Sequence, residues 1–184
     1  MTTAPIAGRA PGASLATSTA GAERHAKYKL LLDYCRTLPP LPTVVAHPCD
    51  QSSLQAVVDA MREGLISPIL VGPKERIEAV AREHSMDLTG AAIVDAAHSH
   101  DSAAKAVAII REGRAEALMK GSLHTDELRG AVVQRDAGLR TGRRISHCFV
   151  MDVPSYPETL IVTDAAVNVA PTLAEKVDIV QNAI

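Results

Sequence analysis

The stretch SPILVGPKERIEAVAREHSMDLTGAAIVD, residues 67–95, decides the fold. Its two apolar runs, 67–72 and 91–95, flank a charged segment, 73–84, that has a proline near its start. Short apolar runs bounded by turn residues are typical of strands buried on both faces, and the segment between them has the spacing of an amphipathic helix. The stretch therefore predicts a strand-helix-strand unit with parallel strands.

The same alternation continues on both sides of this unit. Helical spacing is found in residues 27–38, 52–64, 101–113 and 125–136, and short apolar strand patterns are found in 43–47 and 116–121. Ser52 and Gln55 have the spacing of a capping box, and Gly64 is placed to end the second helix. The alternation predicts an α/β lobe built on a parallel sheet.

The pattern changes after Gly142. Apolar runs at 145–153 and 159–165 are separated by only PSYPE, which is too short for a crossover helix, so they predict a hairpin. The final segment, 171–184, predicts a helix capped by Thr172 and Glu175, with apolar residues on one face at Leu173, Val177, Val180 and Ile184.

These patterns divide the chain into three parts. We expect a disordered tail at 1–22, which is rich in Ala, Thr, Ser, Gly and Pro, a first α/β lobe at 23–141, and the beginning of a second α/β lobe at 142–184. The last helix has no cap or cationic final turn and ends on the apolar Ile184. Chain ends are normally polar and frayed, so this pattern predicts a truncated chain with an incomplete second lobe.

Composition excludes several classes of function. A net charge of -2 and an aromatic content of 2% without Trp disfavour nucleic-acid binding. No segment has the apolar length of a membrane span or the pattern of a secretory signal. Three cysteines without C-x-x-C spacing indicate neither a disulfide framework nor a zinc ribbon, so we expect a cytoplasmic protein.

Two other polar clusters have structural explanations that we favour. His98, His100 and Asp101 lack a further matched ligand for a metal, so we interpret them as a solvated helix cap. Cys49 stands beside Asp50 near a helix start, and we interpret it as an inert thiol in a capped turn. The phosphate-binding glycine patterns of nicotinamide and ATP enzymes are absent from the sequence.

The loop after the strand at 116–121 carries the first candidate site. Lys120, Gly121, Ser122 and His124 follow the strand, and the carboxyl ends of parallel strands form the ligand crevice of α/β sheets. The amides of the helix that begins near Thr125 attract an anion, and Lys120 adds a positive charge. The alternative is that Thr125 is only an N-cap and Lys120 is solvated.

The second candidate site is the segment LRTGRRISH, residues 139–147. Arg140, Arg143 and Arg144 could clamp a phosphate, because guanidinium groups bind phosphate oxygens through paired hydrogen bonds. The alternative, a solvated basic turn, is the more common fate of such arginines. We expect these arginines and Lys120 to converge on one gap between the lobes.

Asp164 and Asn168 form a third candidate site. They follow an apolar strand in the segment TDAAVN, residues 163–168, again at a strand end. Asp164 could orient a substrate amide or hydroxyl. The alternative, which we favour slightly, is that it closes an Asx-turn or caps a helix.

At these residues the chain resembles the phosphate acetyltransferase and phosphate butyryltransferase family. The resemblance extends over 27–184 and is most specific in EALMKGSLHTDEL (116–128), in LRTGRRISHCFVMDVPSYP (139–157) and in LIVTDAAVNVAPTLAEKVDIVQNAI (160–184). It implies a two-lobed α/β fold like that of isocitrate and isopropylmalate dehydrogenases, with the site between the lobes. It also implies acyl transfer between an acyl phosphate and coenzyme A, usually in homodimers.

The resemblance sets the expected substrates and exposes one gap. CoA is expected as a substrate, together with acyl phosphate and phosphate, and neither a metal nor a tightly bound cofactor is expected. The serine and aspartate to which the family assigns catalysis are expected beyond Ile184, so no catalytic residue is assigned here. This polypeptide is therefore expected to be inactive or feebly active alone, and its acyl-chain preference stays open.

Two other functions are weighed against this one. A noncatalytic short form that binds CoA or a metabolite would be expected to have a finished terminus. A hydroxy-acid dehydrogenase of the same fold group would carry metal-binding carboxylates near the lobe junction, where this sequence has arginines.

Overall fold

The structure, a computed structural model, describes residues 25–184, so the predicted tail at 1–22 lies outside the described residues. The helices are α1 (Ala26–Cys35), α2 (Gln51–Arg62), α3 (Lys74–Glu83), α4 (Ser99–Arg111), α5 (Thr125–Val132) and α6 (Leu173–Ala183). The strands are β1 (Leu41–Ala46), β2 (Ile66–Gly72), β3 (Ala92–Asp95), β4 (Ala117–Lys120), β5 (Cys148–Met151) and β6 (Leu160–Thr163). No helix in 25–184 combines the length and the apolar character of a membrane span.

The first four strands form one parallel sheet in the order β3-β2-β1-β4, which confirms the strand-helix-strand prediction. Helices cover both faces of the sheet. Val44 faces the side on which α4 packs, while its neighbour Val45 faces the side with α2 and α3, and both are fully buried. Burial on both faces is the reason that these strands are apolar without alternation.

Two local predictions for this lobe were wrong. Helix α2 is capped by Asp50, whose carboxylate accepts a hydrogen bond from the Ser53 amide, and the capping box at Ser52 and Gln55 does not form. An N-cap aspartate satisfies the same free amides, and it lies one residue before the helix begins. Helix α5 ends at Val132, four residues short of the predicted Asp136. Gly64 ends the turn after α2 with a φ of +70°, as expected of a helix-terminating glycine.

The predicted hairpin also forms: β5 and β6 are antiparallel, with Phe149 opposite Val162. Every residue of β5 is exposed. Helix α6 packs against β6 and has the predicted cap, since Glu175 accepts from the Thr172 amide at 2.8 Å. Only Ile179 of α6 is buried, and the predicted apolar face of the helix is 51–93% exposed at Leu173, Val177, Val180 and Ile184.

Helix α1 connects the sheet lobe to the hairpin. The Lys27 ammonium donates to the carbonyl oxygens of Val153 at 2.7 Å and Tyr156 at 2.6 Å, and it pairs with Asp152 at 3.2 Å. At the other end of the helix, the Arg36 guanidinium pairs with Glu63, which follows α2. These polar contacts link the sheet lobe to the hairpin through α1, which itself buries no side chain.

Candidate anion-binding site

A cavity of about 890 Å³ lies between the loop that precedes β5 and helix α6. All three predicted arginines, Arg140, Arg143 and Arg144, line it. The opposite wall comes from α6, which contributes Glu175 and Asp178 among other residues. The volume is in the range of small-molecule sites, and the grouped guanidinium groups suit an anion.

Among the three arginines of the cavity, Arg144 makes the most hydrogen bonds to the rest of the protein. Its guanidinium donates to Asn168 Oδ1 at 3.2 Å and pairs with Glu175. Its main chain is also held by α6, because the Arg144 amide donates to Asp178 at 3.3 Å and its carbonyl accepts from Asn182 at 2.8 Å. The loop before β5, the loop after β6 and helix α6 are thus joined at one residue.

Asp164 organises the loop after β6. Its carboxylate accepts from the amides of Ala166, Val167 and Asn168 at 2.9–3.1 Å, and from the amide of His147 at 3.2 Å. Burial opposes the charged form, but these donors outweigh it and hold the pKa of the carboxyl well below its usual range. This geometry is the Asx-turn that was favoured from the sequence, and the Asn168 side chain extends it towards Arg144.

The Lys120 loop lies elsewhere. None of Lys120, Gly121, Ser122 and His124 lines the cavity of the arginines, so the expectation of one shared gap is not met within residues 25–184. The Lys120 ammonium donates to the Gly121 carbonyl at 3.2 Å, and its positive charge is one of several influences that lower the pKa of Asp50, of which the hydrogen bonds from Ser53 are the strongest.

The rest of that loop packs against the end of β1. A side chain at Gly121 would have its Cβ only 2.5 Å from the carbonyl oxygens of Ala46 and His47. Ser122 Oγ donates to the His47 carbonyl at 2.8 Å and accepts from the Cys49 amide at 3.2 Å. The absence of a side chain at Gly121 therefore lets this loop pack against the protein's own backbone, and His124 is the N-cap of α5.

The residues after β1 behave as structural groups. Burial raises the pKa of the Cys49 thiol to about 11, so it is held protonated at neutral pH, as expected for an inert cysteine. His47 has a φ of +57°, and its Nδ1 lies 2.9 Å from Ser102 Oγ.

His98 caps α4 by accepting from the Asp101 amide at 3.2 Å, which matches the interpretation as a helix cap. No cluster of metal-binding side chains is found in the described part of the chain.

The α6 side of the cavity was not predicted from the sequence. Glu175, Asp178 and Asn182 line it together, and their spacing of three and four residues places them on one helix face. This polar stripe was readable from the sequence. The apolar stripe of the same helix is the stronger signal in the sequence, because apolar periodicity is the usual sign of a buried face.

Comparisons with known proteins relate the chain to one family. Residues 97–184 match the family model described as "Phosphate acetyl/butaryl transferase". A phosphate acetyltransferase from Rhizobium meliloti is 58% identical over 158 residues, which are 86% of this chain and 50% of the relative. A phosphate butyryltransferase from Clostridium acetobutylicum is 36% identical over 73% of this chain and 45% of the relative.

Solved structures agree with these relatives. A branched-chain phosphotransacylase from Enterococcus faecalis superposes with a TM-score of 0.61 at 26% identity, covering 78% of this chain and 50% of that chain. A phosphotransacetylase from Streptococcus pyogenes, at 18% identity and a TM-score of 0.67, shares the fold over 80% of this chain and 54% of its own. The chain spans about half the length of the relatives that it matches. Residues 97–184 therefore match the family's model, and the chain as a whole is similar to phosphate acetyltransferases and phosphate butyryltransferases over about half of their length.

Proposed function

We propose that this protein takes part in reversible acyl transfer between an acyl phosphate and coenzyme A, with an acetyl or butyryl group as the acyl unit. The observation that carries the proposal is the arginine-lined cavity before β5, in a chain whose relatives bear the names phosphate acetyltransferase and phosphate butyryltransferase. The two substrates and the product phosphate all carry the phosphoryl oxygens that such a cavity suits.

The proposed role of the cavity is to hold the phosphoryl group. In the reaction the CoA thiol loses a proton, its sulfur attacks the acyl carbonyl carbon, and the bond from that carbon to the phosphate oxygen breaks. Negative charge grows on the departing phosphate, and the exposed guanidinium groups of Arg140 and Arg143 would stabilise it. The groups that accept the thiol proton and polarise the carbonyl are not assigned to any residue in 25–184.

The other predicted site residues receive different proposed roles. Asp164 and Asn168 would shape the cavity wall through Arg144, rather than contact the phosphoryl group directly. Lys120 would form a second and separate contact for the negatively charged part of CoA. The same loop continues through Gly121, Ser122 and His124. Lys120 is exposed at the carboxyl end of β4, where ligands of parallel sheets bind.

The proposed context follows the family. We propose a two-lobed architecture like that of isocitrate and isopropylmalate dehydrogenases, with a first lobe to residue 141 and a second that begins at 142. We further propose a homodimer in the cytoplasm that needs no metal or tightly bound cofactor. The exposed strand β5 and the exposed face of α6 support an architecture in which further protein covers the hairpin.

A chimera tests the proposed activity. This chain would replace the matching half of the Rhizobium meliloti phosphate acetyltransferase, which is 58% identical over that half. We expect the chimera to form a thioester from CoA and acetyl phosphate, measured by thioester absorbance.

Paired arginine variants supply the control. Arg143→Gln in the chimera is expected to lower turnover by roughly tenfold or more, because one charge-assisted contact to the leaving phosphate is lost. Arg135→Gln removes the same charge from an exposed arginine that does not line the cavity, and it is expected to leave turnover unchanged. A well-folded chimera with no turnover, or equal losses in both variants, would overturn the proposal.

A further inference from the structure

The three arginines of the cavity differ in how their charge is used. The Arg144 guanidinium is paired with Glu175; the Arg144 side chain is exposed, at 46%, and the Glu175 side chain is half-buried, at 30%. Among residues 25–184, neither Arg140 nor Arg143 has a carboxylate within ion-pair distance or a side-chain hydrogen bond to its guanidinium. The cavity therefore presents two unpaired cations, one internal ion pair and the Asp178 carboxylate, which accepts from the Arg144 amide.

An ion pair attracts a third charge much less than a free cation does, because the opposite charges largely cancel at a distance. The Glu175 carboxylate is itself fixed in its charged form. Hydrogen bonds from the Thr172 amide and hydroxyl lower its pKa, and the charge of Arg144 lowers it further. A phosphate that bound Arg144 would have to displace or approach this carboxylate, which costs electrostatic repulsion.

The remaining contacts of Arg144 point to a mechanical role. Its amide and carbonyl bind Asp178 and Asn182, one helical turn apart on α6, and its guanidinium reaches Asn168 beyond β6. Asn182 also donates to Ser146 Oγ at 2.9 Å. These contacts fix both ends of the segment from Arg144 to Ser146, and this segment follows Arg143 directly.

We infer that Arg140 and Arg143 are the anion ligands of this cavity and that Arg144 is a positioning residue, which holds the loop through Glu175 and Asn168 without binding the substrate. The inference rests on the proposed function, since it divides the proposed phosphoryl site between two roles. It makes Arg143 and Arg144, neighbours of identical chemistry, differ in their response to the ligand.

Arginine side-chain NMR on the intact 184-residue chain separates the two roles. The Nε–Hε signals are followed during a titration with inorganic phosphate, and each signal is assigned by its loss in Arg140→Lys, Arg143→Lys or Arg144→Lys. We expect the signals of Arg140 and Arg143 to move together with one saturation curve, while the Arg144 signal moves little. If the Arg144 signal moved as far as the signals of Arg140 and Arg143, the division of roles would be overturned, while the proposed phosphoryl site would stand.

Phosphate affinity gives a second measurement on the same variants. Lysine cannot reproduce the paired hydrogen bonds of arginine to phosphate, so Arg143→Lys is expected to weaken binding by roughly fivefold to tenfold. Arg144→Lys preserves the ion pair with Glu175, so its affinity should stay within about twofold of the parent. The reverse order of these two effects would overturn the inference.

The two proposals fail in different ways. If phosphate moves no arginine signal, and Arg143→Lys and Arg135→Lys behave alike, the phosphoryl site itself is wrong and both proposals fall. If phosphate binds and all three cavity arginines respond equally, the proposed function survives and only the division of roles falls. Arg144→Gln adds a check on positioning, because it should weaken phosphate binding and Arg144→Lys should restore it.

Discussion

The four-stranded sheet and the hairpin with α6 use their polar side chains for different purposes. In the sheet lobe the polar groups at the strand ends bind one another: Ser122 holds the backbone after β1, and His47 contacts Ser102. In the hairpin region the polar groups surround an open cavity, where Arg140 and Arg143 face solvent. In the sheet lobe, the polar groups at the strand ends therefore make hydrogen bonds within the protein. In the hairpin region, where few side chains are buried, Arg140 and Arg143 stay exposed and free to bind an anion.

Burial explains the difference. Val44, Val45, Leu54 and Leu70 of the sheet lobe are fully buried, whereas the hairpin and α6 bury only Ile179 among the described residues. The hairpin region is held instead by hydrogen bonds and ion pairs such as that of Arg144 with Glu175. Polar contacts of this kind contribute little individually when exposed, so the second region should respond to charge and the first to packing.

The largest effect is expected from a core truncation. Leu54→Ala removes a fully buried side chain from the layer between α2 and the sheet, and it should lower the free energy of unfolding by about 3 kcal/mol. Leu173→Ala is the matched control, because that leucine on α6 is 82% exposed, and its effect should be within about 0.5 kcal/mol. Urea unfolding of both variants measures the difference, and similar losses would show that the two regions do not differ in packing.

A glycine substitution tests the closed loop after β4. The Cβ of Gly121→Ala would meet the Ala46 and His47 carbonyl oxygens at 2.5 Å, so β1 and β4 must separate, at a cost of about 2 kcal/mol. In Gly130→Ala, within α5, the new Cβ has no atom within 4 Å apart from the neighbouring backbone of its own helix, and the variant should be neutral or slightly more stable. Urea midpoints that fell equally would show that the loop is looser than this packing implies.

Much of the sheet lobe was predictable because its signals are local. Apolar runs, helical spacing and the glycine after α2 give the right element types and the parallel direction of the strands, since a crossover helix between two strands returns the chain in the same direction. The capping of α2 was missed because Asp50 and Ser52 are both good N-caps, and the choice between them depends on where β1 ends.

The candidate site was predictable only in part. The residue types were visible in the sequence, and the favoured Asx-turn at Asp164 follows from its own neighbours. The separation of Lys120 from the arginines depends on how two distant segments pack, and spacing carries no information on that. The pairing of Arg144 with Glu175 joins residues 31 positions apart for the same reason.

The next prediction concerns the Asx-turn and its dependence on pH. Asp164→Asn removes the charged acceptor of four amides, and it should lower the stability of the chain at about pH 7 and raise hydrogen exchange in residues 164–168. The folded pKa of Asp164 is depressed, so its stabilisation is present above about pH 4 and is lost as the pH falls towards the folded value.

The difference between the wild-type chain and Asp164→Asn should therefore shrink on acidification. Urea unfolding at about pH 7 and about pH 3 measures it. Asp136→Asn, at an exposed aspartate outside this turn, controls for the general loss of a negative charge. A difference that stayed constant or grew in acid would mean that the turn does not depend on the ionised carboxylate.

The smallest structural perturbation comes from labelling the thiols, which compares the two regions directly. Cys148 is exposed at the start of β5, whereas Cys49 is 2% exposed in the sheet lobe and has a pKa raised to about 11. The thiolate is the reactive form, so at about pH 8 iodoacetamide should modify Cys49 at least about a hundredfold more slowly than Cys148, as measured by peptide mass spectrometry. The raised pKa also means that stability falls as the pH rises from about 8.5 towards 11, since unfolded chains ionise this thiol first. Equal labelling rates would show that the sheet lobe opens as readily as the hairpin. The two regions would then not differ in packing even at Cys49, the buried cysteine of the sheet lobe.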